Sequence, residues 1–263
     1  MSRPTAPAST ETGEFPAIQP GGSLLLAWQV RNRRVLVVGG GNVAAGRILA
    51  LLNADALVTV ITPTAGLVPE VAHRIAHNLV THVDRNFLPT DLDDPAIAMV
   101  LTAVDDPVAS SEIYTLCKQH RIPVNVADVP PECDFYFGSV HRDGPLQIMV
   151  STNGNGPKIA NIVRRQIAET LPTNVGDAIV RVGELRKRLR KVAPEPAQGP
   201  KRMEWMSRVC ESWSLEELCD MDEPDMDVLL GFFEEGRVLG YKELRSTQEG
   251  EAKAKAKAAL VGV

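Results

Sequence analysis

Residues 35–47 read VLVVGGGNVAAGR and constrain the fold more than any other stretch of the chain. A strand, a glycine turn and a helix in this order can bind a dinucleotide pyrophosphate. The glycines let the backbone approach the phosphates, and the helix N-terminus offers unpaired N–H groups. The G-x-G-x-x-G pattern matches at Gly39 and Gly41, with Ala44 in the third place, which the G/A form of the pattern accepts. Glycines also occupy ordinary strand–helix turns, so the apolar runs on both sides carry the prediction of dinucleotide binding.

Strand-like and helix-like patterns alternate along the first part of the chain. This alternation predicts an α/β fold, a Rossmann-like doubly wound parallel sheet. In such a sheet, ligands bind outside the carboxyl ends of the strands. The residues predicted at that edge are the glycine turn, Thr62–Thr64, Asp105, Asp106 and Asp128. The predicted strands lie at 35–38, 56–61, 79–83, 97–104, 122–126 and 146–151, and the predicted helices at about 42–53, 67–77 and 107–120.

Composition and hydropathy divide the chain into four predicted segments. Two amphipathic helices that follow the sheet are too short to be stable alone, so they must pack against another surface, such as that of a second subunit. A Pro-rich linker, 193–200, precedes the last segment, in which Ser214 and Glu217 form a capping box. The segments are a disordered leader (1–22), a dinucleotide-binding Rossmann domain (23–150), the helical pair (151–192) and a C-terminal helical domain with a frayed tail (193–263).

The charge of the chain is unevenly distributed. The net charge is −5, but residues 157–191 hold nine Lys or Arg against three Asp or Glu. This basic segment could bind an anionic ligand or be a solvated helix face. No apolar run is long enough to predict a membrane span, and no nucleic-acid partner is predicted. The four cysteines show no C-x-x-C pairing, which indicates reduced thiols in a cytoplasmic protein.

Asp128 is the candidate catalytic residue. It ends the strand pattern IPVNVAD and is predicted to face the crevice beside the glycine turn, where a carboxylate can act as a general base during hydride transfer. Its alternative role is a turn or helix-capping residue. Asp105 and Asp106 are predicted to begin a helix. No acidic residue follows the second strand, where Thr62–Thr64 stands, so these residues leave the choice between NAD and NADP open.

No resident metal site is predicted. His73 and His77 have the i,i+4 spacing of a metal-binding helix, but Arg74 occupies the position of the general base and no third ligand is evident. A solvent-facing pair is the prediction. His141, in HRDG, is predicted to lie in a hairpin turn.

Four blocks of the chain resemble the siroheme synthase family, in particular its bifunctional precorrin-2 dehydrogenase and sirohydrochlorin ferrochelatase form. The resemblance covers roughly residues 24–190. It implies NAD-dependent oxidation of precorrin-2 to sirohydrochlorin, followed by insertion of ferrous iron, at one site. Iron is then a substrate, so no protein metal ligands are implied. The blocks are VLVVGGGNVAAGR (35–47), LTAVDDPVAS (101–110), VNVADVPPECDFYFGS (124–139) and LQIMVSTNGNGPKIANIVRRQI (146–167).

The resemblance also implies roles for individual residues. Asp128 matches the catalytic aspartate of the family, and 151–192 matches its dimerisation segment, which implies a homodimer. The basic residues that follow Pro157 become candidates for binding the carboxylates of the tetrapyrrole. The implied cofactor-binding residues are Gly39, Gly40, Gly41, Asn42, Val43, Pro63 and Thr64, and the implied substrate-binding residues are Ser151, Thr152, Asn153 and Lys158.

Two other functions stay open on the sequence. The protein could be a precorrin-2 dehydrogenase only, with a separate chelatase. It could instead be a non-catalytic dinucleotide-sensing module whose basic helices at 157–191 recruit a partner. The first alternative predicts no metallation of sirohydrochlorin, and the second predicts NAD binding without turnover.

Overall fold

A computed structural model describes residues 20–247, which form two compact units. The first unit runs to Phe137 and also takes Asn153–Asn155, and the second holds Gly138–Thr152 and the chain from Gly156 onward. The predicted leader lies almost entirely outside the described residues, and so does the tail from residue 248.

The first unit is built on a five-stranded parallel sheet with the strand order β3-β2-β1-β4-β5. This order places a topological switch point between β1 and β4, where ligands of doubly wound sheets bind. The Rossmann-like sheet predicted from the sequence is confirmed. The strands are β1 (Arg34–Val38), β2 (Leu57–Ile61), β3 (Thr81–Val83), β4 (Ile97–Thr102) and β5 (Val124–Val126), and the helices are α1 (Asn42–Leu52), α2 (Pro69–Ala76) and α3 (Pro107–Gln119).

Both faces of this sheet are buried, which explains the continuous apolar runs in its strands. Along β1 the side chains alternate between two cores, as strand geometry requires. Val35 and Val37 pack in the cluster that contains residues of α1 and α2, whereas Leu36 and Val38 pack in the cluster that contains residues of α3. The carboxyl edge of the sheet is thereby fixed from both sides.

The predicted sixth parallel strand at 146–151 is wrong. Leu146–Val150 forms β7, which pairs antiparallel with β6 (Ser139–Asp143) in a two-stranded hairpin of the second unit. The connection between them is the turn at Gly144 and Pro145, with Gly144 at φ +53°. A turn this short can only reverse the chain, because a parallel pair needs a crossover of a dozen or more residues. His141 lies in β6 rather than in the turn.

The helices between Val175 and Gly231 share one core, which confirms the predicted helical region. Trp205 and Trp213 are buried there and donate their indole N–H groups to the carbonyl oxygens of Arg237 (2.8 Å) and Leu239 (2.9 Å). The capping box at Ser214 is also confirmed. The helices are α4 (Pro157–Glu169), α5 (Val175–Val192), α6 (Gly199–Ser212), α7 (Leu215–Asp220) and α8 (Glu223–Gly231).

The core of the second unit crosses the predicted boundary at residue 193. Leu185 and Leu189 of α5 are fully buried in the same cluster as residues of α6, α7 and α8, and Ala193 in the Pro-rich linker is buried with them. The linker therefore packs as part of this unit. No helix in residues 20–247 has the length and apolar character that crossing a membrane requires.

Candidate active site

The glycine loop, residues 39–41, joins β1 to α1. Gly39 adopts φ +117°, and its N–H donates to the carbonyl oxygen of Ile61 on β2 at 3.0 Å. A Cβ at this position would lie 2.1 Å from the carbonyl oxygen of Ala103. Only glycine has both the conformational freedom and the lack of side chain that this position needs. Gly39 therefore fixes the loop against β2 and the end of β4.

The other two glycines make a cradle open on one side. The carbonyl oxygen of Gly40 accepts the N–H of Val68 at 2.9 Å, whereas a Cβ on Gly41 would meet nothing within 4 Å. Gly41 is the N-cap of α1, with no side-chain cap and no acidic residue in the first turn, where Asn42 and Val43 are exposed. Free N–H groups and a helix dipole without a competing carboxylate fit a pyrophosphate.

The turn after β2 borders the same loop. Thr62 is buried, and Thr64 opens a short 3₁₀ helix that ends at Gly66. Beside this turn lies a cavity of about 300 Å³. Its lining comes from the carboxyl ends of β1 and β2, the segment after β3, and the start of α3, and includes Val38, Ile61, Thr62, Pro63, Phe87 and Val104.

Asp84 binds this turn through hydrogen bonds from Thr64, and it was not among the predicted site residues. Its carboxylate accepts the backbone N–H of Thr64 at 2.7 Å and also the Thr64 hydroxyl. These two hydrogen bonds, the hydroxyl first, lower the pKa of Asp84. Asp84 follows β3 directly, so the register of β2 with β3 brings it beside Thr64 from 20 residues away.

Asp128 stands on the turn that follows β5. It is exposed and adopts the left-handed backbone conformation, with φ 61°. The preceding N–H, of Ala127, donates to the carbonyl oxygen of Thr102 at 2.9 Å, which ties the turn to β4. Below the turn, the Cys133 thiol donates to the carbonyl oxygen of Val126 at 3.1 Å. These hydrogen bonds hold the turn in place, while the carboxylate of Asp128 faces solvent.

Arg47 on α1 is a second site residue that sequence reasoning missed. Its guanidinium lies 4.0 Å from the centre of the Phe137 ring and is partly buried. Burial lowers the pKa of Arg47, and electrostatic interactions with Cys133 and Asp128 oppose this effect. The helix that begins at the glycine loop therefore carries a cation within electrostatic reach of Asp128. Arg47 ends the quoted block VLVVGGGNVAAGR but lies outside the G-x-G-x-x-G pattern, and its role depends on the packing of α1 against the segment after β5.

Among the remaining candidates, Asp106 has a structural role. Asp106 is the N-cap of α3 and accepts the N–H groups of Val108 (2.9 Å) and Ala109 (3.1 Å), as predicted for a helix start. Asp105 is exposed. His73 on α2 and His77 at the C-cap of this helix are exposed with ring centres 4.0 Å apart, which confirms the solvent-facing pair. Within residues 20–247, no three His, Cys, Asp or Glu side chains come together in a group able to hold a metal ion.

The predicted substrate-binding residues surround the turn between β7 and α4. Ser151, Asn153 and Lys158 are exposed, and Thr152 is partly buried, with its hydroxyl accepting the N–H of Gly156 at 3.1 Å. Asn153 belongs to the first unit, where its side-chain amide donates to the carbonyl oxygen of Gly21 at 3.0 Å. Their role in substrate binding stays a prediction.

Part of the basic segment, residues 157–191, forms ion pairs within the second unit. Arg188 pairs with Glu184 on the same helix (3.5 Å) and with Glu223 (3.0 Å) and Asp227 (3.2 Å) of α8. In contrast, Lys158, near the start of α4, is exposed. Arg188 therefore fits neither predicted role, because it is paired within its own unit, whereas anion binding by Lys158 stays a prediction.

Three family models match successive parts of the chain. They are described as putative NAD(P)-binding (residues 26–139), sirohaem biosynthesis protein central (143–170) and sirohaem biosynthesis protein C-terminal (172–239). The first model ends close to the end of the first unit at Phe137.

Curated relatives extend this match to nearly the whole chain. The chain is 54% identical to the siroheme biosynthesis protein met8 of Schizosaccharomyces pombe over 231 residues, which cover 88% of this chain and 87% of the relative. It is 31% identical to the siroheme biosynthesis protein of the same name from Saccharomyces cerevisiae over 238 residues, covering 76% and 86%. A solved structure titled SirC, precorrin-2 dehydrogenase, matches with a TM-score of 0.59 at 18% identity, over 81% of this chain and 100% of that chain, and shows the same fold. The resemblance seen in the motifs is therefore confirmed, and the chain belongs to the siroheme biosynthesis family.

Proposed function

We propose that this protein oxidises precorrin-2 to sirohydrochlorin, with a hydride passing to NAD and a proton to Asp128. One observation carries the proposal: Asp128 stands on a fixed, exposed turn after β5, at the same edge of the sheet as the open glycine loop. The family membership supports the substrate, because the relatives are named for siroheme biosynthesis and the similar structure for precorrin-2 dehydrogenation.

The residues present fit a bound dinucleotide. Gly41 and the exposed first turn of α1 would hold the pyrophosphate, and the turn at Pro63 and Thr64 would hold the adenosine ribose. When bound, NAD supplies the acceptor for the hydride. Asp128 accepts the proton that leaves with it, as a general base. Arg47 places a positive charge within electrostatic reach of this carboxylate.

We propose iron insertion as the second step at the same site. Insertion of Fe²⁺ into sirohydrochlorin releases two pyrrole N–H protons, and the exposed carboxylate of Asp128 can accept the first, release it to solvent and then accept the second. Fe²⁺ is the substrate of this step.

The two steps can be tested separately. Anaerobic incubation with precorrin-2 and NAD should produce NADH and the absorbance of sirohydrochlorin in equal amounts. Incubation with sirohydrochlorin and Fe²⁺, without NAD, should then give the metallated spectrum faster than in a reaction without protein. Metallation no faster than that control would leave a dehydrogenase only. Tight NADH binding without any turnover of precorrin-2 would favour the dinucleotide-sensing module instead.

We also propose that the protein is a homodimer in the cytoplasm, joined through α4. This helix buries only Ala160 and exposes an apolar row. Exposed apolar rows of this kind mark interaction surfaces. The four free thiols support the reducing compartment. The row consists of Ile159 (61% exposed), Ile162 (39%), Val163 (37%) and Ile167 (37%).

Ile162→Glu is expected to convert the dimer to monomers. A charge at the centre of this row would have to be buried without a partner, and such a change at an interface costs about 2 kcal/mol or more. Light scattering coupled to size exclusion would measure the mass. Leu215→Glu is the matched control, because Leu215 is 43% exposed at the first turn of α7, where an acidic residue is tolerated. A wild-type monomer, or a dimer that survives Ile162→Glu, would contradict the proposal.

A further inference from the structure

We propose that Asp84 makes this protein selective for NAD over NADP, by placing a carboxylate against the 2′ position of the adenosine ribose. The inference rests on the proposed function to the extent that the glycine loop must hold a dinucleotide. Asp84 would provide the acidic group that the turn after β2, Thr62–Thr64, lacks.

The position of Asp84 follows from strand register. In doubly wound sheets the adenosine ribose lies at the end of the second strand, where an acidic residue commonly binds its hydroxyls. Here that turn reads Thr62-Pro63-Thr64 and contains no acid. β3 pairs in parallel beside β2, with Val83 opposite Ile61, so Asp84 stands level with Thr62. The carboxylate thus reaches the turn from the neighbouring strand.

The contacts of Asp84 hold it there as a charged group. Its carboxylate accepts the N–H of Thr64 at 2.7 Å and the Thr64 hydroxyl, and both bonds lower its pKa. Two carboxylate oxygens offer about four acceptor positions, so accepting capacity remains for a ribose hydroxyl. Because Asp84 is exposed, that capacity is open to a ligand.

Among the described residues, the basic side chains next to Asp84 are already engaged. Arg85 follows Asp84, but it donates to both carboxylate oxygens of Asp91, at 2.6 and 2.9 Å. A ring nitrogen of His82 lies 2.8 Å from the carbonyl oxygen of Thr62. Residues 62–66 contain no lysine or arginine. A 2′-phosphate at this place would therefore meet a carboxylate and find no ready arginine, which is the group that NADP sites supply.

The adjoining cavity favours the same position for the adenosine. Phe87 and Pro63 line its apolar part, and the planar adenine base can pack against these side chains. Asp106 and Glu112 also line it, so this region adds no positive charge that could attract a phosphate. With the adenine in this cavity, the attached ribose would lie at the turn Thr62–Thr64, beside the carboxylate of Asp84.

The inference is tested by direct binding, without precorrin-2. NADH and NADPH are titrated into wild-type protein, Asp84→Asn and Asp93→Asn, and their fluorescence gives the two dissociation constants. We expect wild type to bind NADH at least about tenfold more tightly than NADPH. Asp84→Asn should reduce this ratio at least about tenfold, mainly by tighter NADPH binding, because the amide still accepts from Thr64 but carries no charge. Asp93→Asn removes an exposed charge from the segment between β3 and β4 and should leave the ratio unchanged.

Three results would overturn the inference. Equal wild-type affinity for the two dinucleotides is the first, and an Asp84→Asn ratio equal to that of wild type is the second. A matched loss of both affinities in Asp84→Asn is the third, since it would mean that Asp84 only shapes the Thr64 turn. If neither dinucleotide binds to wild type, the proposed function itself fails, which is a distinguishable outcome.

Discussion

Asp128→Asn is expected to lower the rate of precorrin-2 oxidation by about 10²- to 10⁴-fold, the range that a general base contributes. The amide cannot accept the proton, so the loss should appear in kcat. Asparagine is the right substitution, because Asp128 has φ 61° and asparagine adopts this conformation readily. Alanine would add backbone strain to the chemical loss. Anaerobic NADH formation measures the rate, and NADH fluorescence measures cofactor binding, which should not change.

The matched control for this variant is Asp105→Asn. Asp105 follows β4 at the same edge of the sheet and is also exposed, so the substitution removes a surface charge without removing the proposed base. Its rate should stay within about twofold of wild type, as for an ordinary surface substitution. Rates for Asp128→Asn near that of wild type would rule out proton transfer to Asp128. A loss of NADH affinity parallel to the rate would instead indicate a binding role.

Gly39→Ala is expected to destabilise the first unit by at least about 3 kcal/mol, enough to prevent folding in a marginal domain. The new Cβ would lie 2.1 Å from the carbonyl oxygen of Ala103, and φ +117° is a conformation that alanine rarely adopts. Neither the backbone of residue 39 nor the Ala103 carbonyl group can move at low energetic cost, since each directly follows a strand of the sheet. Urea unfolding followed by far-ultraviolet circular dichroism would measure the change.

Gly41→Ala is the comparison that separates folding from binding. A Cβ there meets no protein atom within 4 Å, so the free energy of unfolding should change by less than about 1 kcal/mol, the scale of an N-cap substitution. The methyl group would occupy the space where the pyrophosphate approaches the backbone, and NADH affinity should fall at least about tenfold. Wild-type stability in Gly39→Ala, or wild-type NADH affinity in Gly41→Ala, would contradict the assignment of a structural and a binding glycine.

The parts of the fold that depend on local sequence were predictable. The glycine loop, the N-cap at Asp106 and the capping box at Ser214 each rest on contacts within a few residues. The hairpin strand Leu146–Val150 was misassigned to the parallel sheet because an apolar run of that length does not show which strand it pairs with. The informative signal was Gly144-Pro145, a turn too short for a crossover.

The parts of the site that depend on distant pairing were not predictable. Asp84 reaches Thr64 only because β2 and β3 pair in a particular register, and Arg47 comes near Asp128 only because α1 packs beside the segment that follows β5. The Pro-rich segment before α6 has the composition of a linker, yet Ala193 within it is buried in the core of the second unit. Composition indicates where a chain is able to turn, but a buried contact depends on both partners.

The distribution of tryptophan has a consequence for how unfolding is observed. Of the three tryptophans, Trp205 and Trp213 are buried in the helical core of the second unit, whereas Trp28 belongs to the first unit and is 46% exposed beside Phe135. Intrinsic fluorescence will therefore report mainly on the helical unit. Damage to the dinucleotide-binding sheet could pass unnoticed in such a signal, while loss of NADH fluorescence would reveal it. Two optical probes thus give each unit its own melting curve in the intact protein.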